Sequence, residues 1–251
     1  NKKQPTYAHI PLIHSNDGKR LSKRHGAIPV DQYQNDGILP QALLNYLARL
    51  GWSHGNQEIF TIEEMIKLFD LAAIHKSAAA FDYEKLLWVN HQHMKKTSGV
   101  EIELTLKEIF KSNGIQPDSN PKLETLYDAQ KERYKTLKEL CNASDYFYKI
   151  IDNYDEKGAK KYFTKNSVVI LQALEGKLDS LDEWSESNIN AAIKSVANDT
   201  NLKLGKVAPL LRLAVTGQMV SPSIDITVTL LGKDKTLRRI GQAIAYIVGS
   251  V

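Results

Sequence analysis

The sequence predicts a mainly helical, all-α protein with a small β element near its start. Apolar residues recur at helical spacing over most of the 251 residues. The best stripe predicts a buried helix face and consists of Ile189, Ala192, Ile193, Val196 and Ala197. Alternating, strand-like patterns are scarce apart from the apolar run at residues 9–13. By size alone, the chain has room for about two domains.

Start and stop signals define three helices in the first block. Pro40 suits a first helical position and Gly51 suits the residue just past a helix end. The face predicted to be buried consists of Leu43, Leu44, Leu47 and Leu50. Thr61 and Glu64 form a capping box before a second stripe, which consists of Ile62, Met65, Ile66 and Phe69. Asp82 is the predicted N-cap of a third helix.

Further helices are predicted in two later blocks. Short helices are expected around Leu106–Phe110, after Pro121 and over Leu137–Tyr148. Residues 154–165 are charged and lose the apolar period, so they predict a linker. A closing helix is expected over Leu237–Ile247. These breaks predict domains at residues 1–97, 98–160 and 161–251.

Composition narrows the functional classes. The formal net charge of +4 does not indicate a protein coated in lysine, but it leaves open an RNA surface with local basic patches. A single cysteine, Cys141, excludes an internal disulfide and a cysteine-based zinc site, and it fits a reducing cytoplasm. His91 and His93 are expected to be polar surface residues, so no metal site is predicted. The sequence contains no run of about 18 apolar residues, which is the length that would suggest a membrane span.

A basic loop follows the apolar run and predicts a phosphate-binding element. Four cations fall within six residues, and Ser22 adds a hydroxyl donor. The cations are Lys19, Arg20, Lys23 and Arg24. An isolated basic loop is more often a solvated surface. The order of the residues favours function, however, because Arg20–Arg24 (Arg-Leu-Ser-Lys-Arg) resembles the KMSKS signature of class I aminoacyl-tRNA synthetases, with Arg20 replacing the first lysine.

The longer string at residues 18–27 resembles the form found in glutamyl-tRNA synthetases. The resemblance continues through residues 43–53, 58–60, 69–71, 81–82, 85–90, 135–140, 204–209, 212–217, 221–222 and 231–233. It implies a stem-contact helical domain followed by two helical anticodon-binding domains. The HIGH-type motif and the glutamate pocket of this family do not occur in residues 1–251. The chain is therefore expected to be the C-terminal half of the enzyme, a monomer that binds tRNA but does not charge it alone.

The resemblance also implies roles in the intact enzyme, which joins glutamate to tRNA through a glutamyl-adenylate made from ATP with Mg²⁺. Lys23 is the predicted catalytic residue, because a positioned cation stabilises the charge that builds on the departing pyrophosphate. Arg20, Leu21, Ser22 and Arg24 complete the predicted ATP-binding loop. No cofactor is expected bound to the C-terminal half.

Basic residues beside planar groups suit the recognition of unpaired RNA bases. Lys131, Arg133, Lys135 and Lys138 crowd one segment with Tyr134, and Lys203, Lys206 and Arg212 lie near a predicted turn at residues 217–222. A solvated helix face is the alternative interpretation. The resemblance places Arg212, Ser221 and Ile224 where the family approaches the anticodon, and it makes Arg133 or Lys135 a candidate for the third anticodon base. tRNA(Glu) is the expected partner, with tRNA(Gln) left open.

A second hypothesis is a stand-alone RNA-binding module derived from a synthetase tail, with the basic loop as a relic. Truncated relatives that modify a tRNA base are disfavoured, because they resemble the catalytic half. A glutaminyl enzyme is disfavoured because its anticodon region is built from β-barrels.

Overall fold

The computed structural model describes residues 4, 5, 7, 11–15, 18–21 and 28–249, which form thirteen α-helices and a two-stranded parallel sheet. The predicted fold class, mainly helical with a small β element near the start, is confirmed. The chain forms two compact units. Unit 1 comprises residues 1–101 and 131–140, and unit 2 comprises residues 102–130 and 141–251. The division into domains at residues 97 and 160 stays a prediction.

Unit 1 combines short helices with the sheet. Its strands are β1 (Ile13–His14) and β2 (Ala79–Ala80), which pair in parallel with Ile13 opposite Ala79. Its complete helices are α1 (Val30–Asn35), α2 (Pro40–Gly51), α3 (Ile62–Leu68) and α4 (Tyr83–Lys96), with a 3-10 turn at Leu71–Ala73. Two further helices, α5 (Gly99–Ser112) and α7 (Leu137–Ala143), begin in unit 1 and end in unit 2.

The two predicted N-caps of unit 1 are confirmed, whereas Gly51 lies inside α2 as its last residue and not just past the helix end. The Glu64 amide donates to Thr61 Oγ1 at 3.2 Å, and the Thr61 amide donates to Glu64 Oε2 at 2.8 Å. Asp82 Oδ1 accepts the Lys85 amide at the start of α4. Each cap supplies an acceptor for an N–H group that the helix itself leaves unpaired.

The leucine face predicted for α2 is wrong. Leu44 and Leu47 are 49% and 41% exposed, whereas Ala42, Asn45 and Tyr46 are buried on the side that packs against α4. The second predicted stripe is also wrong in part, because on α3 only Met65 is buried. Periodicity ranks leucine above asparagine for burial, but here a polar residue takes the inner position because its hydrogen bonds are satisfied there.

Asn45 lies at the centre of a buried polar network. Its Oδ1 accepts the Phe60 amide at 2.9 Å and His93 Nε2 at 2.9 Å, and its Nδ2 donates to the Glu58 carbonyl at 3.0 Å. His93 is therefore buried, and the expectation that it is a polar surface residue is wrong. Burial, together with the charge of Lys96, lowers the pKa of His93.

Asn90 makes a second buried network in unit 1. Its Oδ1 accepts the Leu39 amide at 2.8 Å, and its Nδ2 donates to the Lys135 carbonyl at 2.7 Å. The Leu137 amide donates in turn to the carbonyl of Gly37, which lies beside Asn90 Nδ2. Two amide side chains thus hold the loops of unit 1 in place.

Unit 2 is a bundle of longer helices. These are α6 (Leu123–Gln130), α8 (Glu156–Tyr162), α9 (Lys165–Asp179), α10 (Glu186–Asp199), α11 (Leu204–Thr216), α12 (Ile224–Leu231) and α13 (Lys233–Gly249), with a 3-10 turn at Asp145–Phe147. Helix α13 packs against α9 and α11, and α10 packs against α9 and α12. All five residues of the stripe predicted for α10 are buried. The closing helix is also confirmed as α13.

The linker predicted at residues 154–165 is wrong, because this segment contains α8. Asp155 caps the helix by accepting the Gly158 amide at 2.6 Å. A Cβ on Gly158 would lie 2.6 Å from Met219 Sδ, so the absence of a side chain there allows the close contact. The rest of the helix is polar, which hides its period from a search for apolar stripes. Sequence patterns assigned no helix to α9, α11 or α12.

Two cations of α13 hold the surrounding backbone of unit 2. Arg239 is 3% exposed and donates to the carbonyls of Val215, Tyr146 and Lys149. Lys235, one turn earlier, donates to the carbonyls of Asn120 and Phe147. Burial, with the neighbouring Arg238, lowers the pKa of Arg239 to about 10.

Candidate nucleic-acid interface

The first residues of the basic loop are anchored on β1 by backbone hydrogen bonds. Ser15 donates its amide to the Lys19 carbonyl at 2.8 Å, and the Leu21 amide donates to the Ile13 carbonyl at 2.9 Å. His14 and Arg20 form an antiparallel bridge across the turn. Gly18 has a φ of +78°, a conformation that favours glycine. The turn fixes where the basic loop begins.

Of the predicted ATP-binding residues, the structure describes only the first two. Arg20 is exposed and Leu21 is half-buried. Ser22, Lys23 and Arg24 lie outside the described residues. The catalytic role of Lys23 therefore rests on the resemblance alone and stays a prediction.

The basic segment at residues 131–138 is tied to its own unit. Lys138 Nζ lies 3.1 Å from Asp36 Oδ1, and Lys135 Nζ lies 3.0 Å from Glu84 Oε2. Lys131 donates to the Thr97 carbonyl at 3.1 Å. Exposed ion pairs contribute about 1 kcal/mol or less, so Lys135 can exchange Glu84 for an RNA phosphate at little cost. The roles predicted for the exposed Arg133 and for Lys135 stay predictions.

Arg212 and Ser221 come together where α11 ends and α12 begins. Arg212 Nε donates to Ser221 Oγ at 2.9 Å, and Arg212 Nη2 donates to the Pro222 carbonyl at 3.4 Å. Ser221 Oγ also lies 3.1 Å from Thr227 Oγ1 on α12. Both Arg212 and Ser221 are half-exposed. The geometry therefore holds a planar guanidinium in a fixed direction at the surface.

The turn predicted at residues 217–222, which carries Ser221, depends on Gly217. Gly217 ends α11 with a φ of +73°, and a Cβ there would lie 3.0 Å from the Asn153 carbonyl oxygen. The Thr-Gly pair just after an apolar helix stripe is a helix-end signal that was available in the sequence. Thr216 reinforces the turn, because its hydroxyl oxygen accepts the Gln218 amide at 3.0 Å.

Ile224 is buried, unlike the other two residues predicted to approach the anticodon. It is the first residue of α12 and packs inside unit 2. The next residue, Asp225, accepts a 2.6 Å hydrogen bond from Asn190 Nδ2. Burial raises the pKa of Asp225, but hydrogen bonds from Ser223, Asn190 and the local backbone together lower it below its usual value. Ile224 thus positions the start of α12, and its contact with RNA stays a prediction.

Within residues 28–249 and the shorter described stretches before them, no group of three His, Cys, Asp or Glu side chains is placed to hold a metal ion. In the same part of the chain, none of the helices combines the length and the apolar character needed to span a bilayer.

Comparison with known families separates the two parts of the sequence. Residues 100–244 match the family described as "Anticodon binding domain". Residues 1–88 match the family described as "tRNA synthetases class I (E and Q), catalytic domain". The first match covers more than half of the chain and includes the Arg212 turn.

Individual relatives agree with these families. Glutamate–tRNA ligases 1 and 2 from two strains of Coxiella burnetii are each 46% identical over 243 residues, which is 97% of this chain and 52% of theirs. A crystal structure of a glutamate tRNA ligase from Elizabethkingia meningosepticum in complex with its amino acid matches with a TM-score of 0.83 and 32% identity. The glutamate–tRNA synthetase of Elizabethkingia anophelis matches with a TM-score of 0.79 and 31% identity. Both structural matches cover 97% of this chain and 52% of the other. The chain thus spans about half the length of the relatives it matches.

Proposed function

We propose that this chain, which belongs to the glutamyl-tRNA synthetase family and carries its anticodon binding domain, is the tRNA-recognising part of a glutamate–tRNA ligase. The observation that carries the proposal is the Arg212 guanidinium, which Ser221 and the Pro222 carbonyl orient at the start of α12. A planar guanidinium in a fixed direction suits recognition of a base edge, since Arg forms paired hydrogen bonds in one plane.

The intact ligase would use the basic loop for catalysis. In this proposal Lys23 stabilises the pyrophosphate that leaves ATP, with Mg²⁺ bound by the nucleotide phosphates, and the turn at Ser15–Leu21 anchors the loop at β1. The chain described here would bind tRNA(Glu) but would not charge it without the rest of the ligase. Binding of tRNA(Gln), a monomeric state and a cytoplasmic location belong to the same proposal.

Anticodon discrimination tests the role of Arg212. The chain is titrated with a tRNA(Glu) transcript and with transcripts whose anticodon bases are changed singly. We expect the unmodified chain to favour the glutamate anticodon, and Arg212→Ala to lose about 1 to 3 kcal/mol of that preference at one position, by analogy with base readout in DNA. Arg212→Lys keeps the charge but not the planar fork, so it should lose discrimination while retaining much of the affinity.

Arg238→Ala is the matched control, because Arg238 is an exposed arginine of the same unit. It should leave discrimination unchanged. Equal discrimination by the unmodified chain and by Arg212→Ala would remove Arg212 from the interface. Failure of the unmodified chain to bind any tRNA would contradict the proposed function itself.

A further inference from the structure

A basic cleft in unit 2 lies where α8, α9 and α11 approach one another. It has a volume of about 440 Å³. Its lining consists of Lys161, Tyr162, Thr164, Ser167, Ile170, Leu202, Gly205, Lys206 and Leu210. Lys165 and Lys203 are exposed and directly follow the lining residues Thr164 and Leu202 in sequence. We call the four lysines at positions 161, 165, 203 and 206 the lysine cleft.

Among the described residues, the lysine cleft has no acidic lining residue and no ion pair. Its lining contains no Asp or Glu, and within residues 28–249 none of its four lysines lies within 4.0 Å of a carboxylate oxygen. Two other clefts of unit 2 differ, because Lys194 shares one with Glu186 and Asp225, and Lys235 pairs with Asp118 in the other. Four like charges without counter-charges repel one another unless an anion joins them.

The helices that begin at the cleft add to its positive character. The first turns of α9 and α11 contain no acidic residue, and the N-cap of α11 is Lys203, whose side chain cannot accept a hydrogen bond. Lysine beside a helix N-terminus is unfavourable, since both carry positive charge. The sequence thus maintains an electrostatic cost at this cleft, which a bound anion would remove.

The cleft lies close to the Arg212 turn along one helix. Lys206 and Arg212 are six residues apart on α11, which corresponds to about 9 Å along the helix axis. Each strand of double-stranded DNA carries one phosphate charge about every 3.4 Å along the helix axis, and by analogy a few nucleotides of RNA span this distance. Lys161 Nζ lies 5.1 Å from the centre of the Tyr162 ring, which keeps one ammonium group at the cleft wall.

We infer that the lysine cleft binds the phosphodiester backbone of the RNA strand whose base is read at Arg212. This inference rests on the proposed function. The cleft supplies affinity without sequence preference, whereas Arg212 supplies discrimination. Substitutions in the cleft should therefore change affinity, and substitution of Arg212 should change discrimination.

The test is binding of a tRNA(Glu) transcript at several salt concentrations. The plot of log affinity against log salt has a negative slope. In the double variant Lys161→Gln with Lys206→Gln, this slope should become less steep by about 1.4, because each lost contact to single-stranded RNA removes about 0.7. The affinity gap to the unmodified chain should then narrow about sevenfold between 50 and 200 mM salt. Preference among anticodons should not change. Thermal melting confirms that the variant is folded.

The double variant Lys177→Gln with Lys194→Gln is the matched control, since both lysines are exposed and belong to unit 2. Its substitutions change the net charge by the same amount as those of the cleft variant. If tRNA binding persists and the cleft variant behaves like this control, the inference is overturned while the proposed function stands. Polyglutamate is a second probe. If the unmodified chain binds polyglutamate, and the cleft variant loses that binding but keeps its binding of tRNA, the inference is also overturned, because the ligand would then be an acidic polypeptide. If the unmodified chain binds no tRNA, the proposed function fails first.

Discussion

The side chains that make the most hydrogen bonds to distant backbone atoms differ between the two units. Unit 1 uses neutral amides, since Asn45 and Asn90 bind the backbone at Glu58, Phe60, Leu39 and Lys135. Unit 2 uses cations, since Lys235 and Arg239 bind backbone carbonyls. An uncharged amide side chain can pair with both donors and acceptors. A guanidinium can donate to several carbonyls at once, but its positive charge must then be buried with it. The difference predicts different responses to substitution and to pH.

Arg239→Met should have the largest effect. It keeps much of the side-chain length but leaves the carbonyls of Val215, Tyr146 and Lys149 without their donor. Each buried carbonyl left unpaired costs about 1 to 3 kcal/mol, so we expect a loss on the order of 3 kcal/mol or more in the free energy of unfolding. Urea unfolding measures the loss, and hydrogen exchange locates it.

Arg238→Met is the control for this prediction, because the neighbouring Arg238 is exposed and its replacement should change stability by about 0.5 kcal/mol or less. The faster exchange of Arg239→Met should be confined to unit 2. Equal loss of protection in unit 1 would show that the comparison between the units does not describe their stability.

Gly37→Ala should have the next largest effect, and it acts on unit 1. Gly37 has a φ of +80°, and its Cβ would lie 2.4 Å from the Lys138 backbone nitrogen. The left-handed conformation alone costs alanine about 1 to 2 kcal/mol. Contact with backbone atoms cannot be relieved by a side-chain rotation, so we expect a total loss of about 2 to 3 kcal/mol.

Gly55→Ala separates the two causes. Gly55 also has a positive φ, +53°, but a Cβ there meets nothing within 4 Å. It should lose only the conformational part, and only Gly37→Ala should speed exchange of the Leu137 amide, which donates to the Gly37 carbonyl. Equal losses in the two variants would mean that the close approach at residue 37 has no energetic weight.

The outcome of sequence analysis depended on how local each signal was. The capping box at Thr61, the N-cap at Asp82 and the stripe of α10 lie within one helix each, and all were predicted correctly. The buried face of α2 was mispredicted because Asn45 is satisfied by residues 58, 60 and 93, which pattern analysis cannot associate with it. Helix α8 was missed because most of its surface is polar.

The candidate site shows the same limit. The resemblance associated Arg212 with Ser221, and the structure places Arg212 Nε 2.9 Å from Ser221 Oγ. The lysine cleft was not predicted, because Lys161 and Lys165 are at least 38 residues from Lys203 and Lys206 in sequence. No period or motif joins Lys161 to Lys206, since only the packing of α8 and α9 against α11 brings them together.

The pH response should give the smallest effect and the sharpest contrast between the units. All seven histidines of the sequence belong to unit 1, and unit 2 contains none. Burial and Lys96 lower the pKa of His93, so the unfolded chain takes up a proton near pH 6.5 before the folded chain does. The stability that neutral His93 contributes is thus fully present above about pH 6.5 and is lost as the pH falls through its folded pKa.

Hydrogen exchange between pH 7.5 and 5.5, corrected for the intrinsic rate, should therefore show protection falling in unit 1 but not in unit 2. In His93→Gln the Gln amide can donate to Asn45 Oδ1 without titrating, so the fall in unit 1 should be smaller. An unchanged pH response in His93→Gln would assign the effect to another histidine. A matching fall in unit 2 would break the contrast, because Arg239, with a pKa of about 10, keeps its charge over this range.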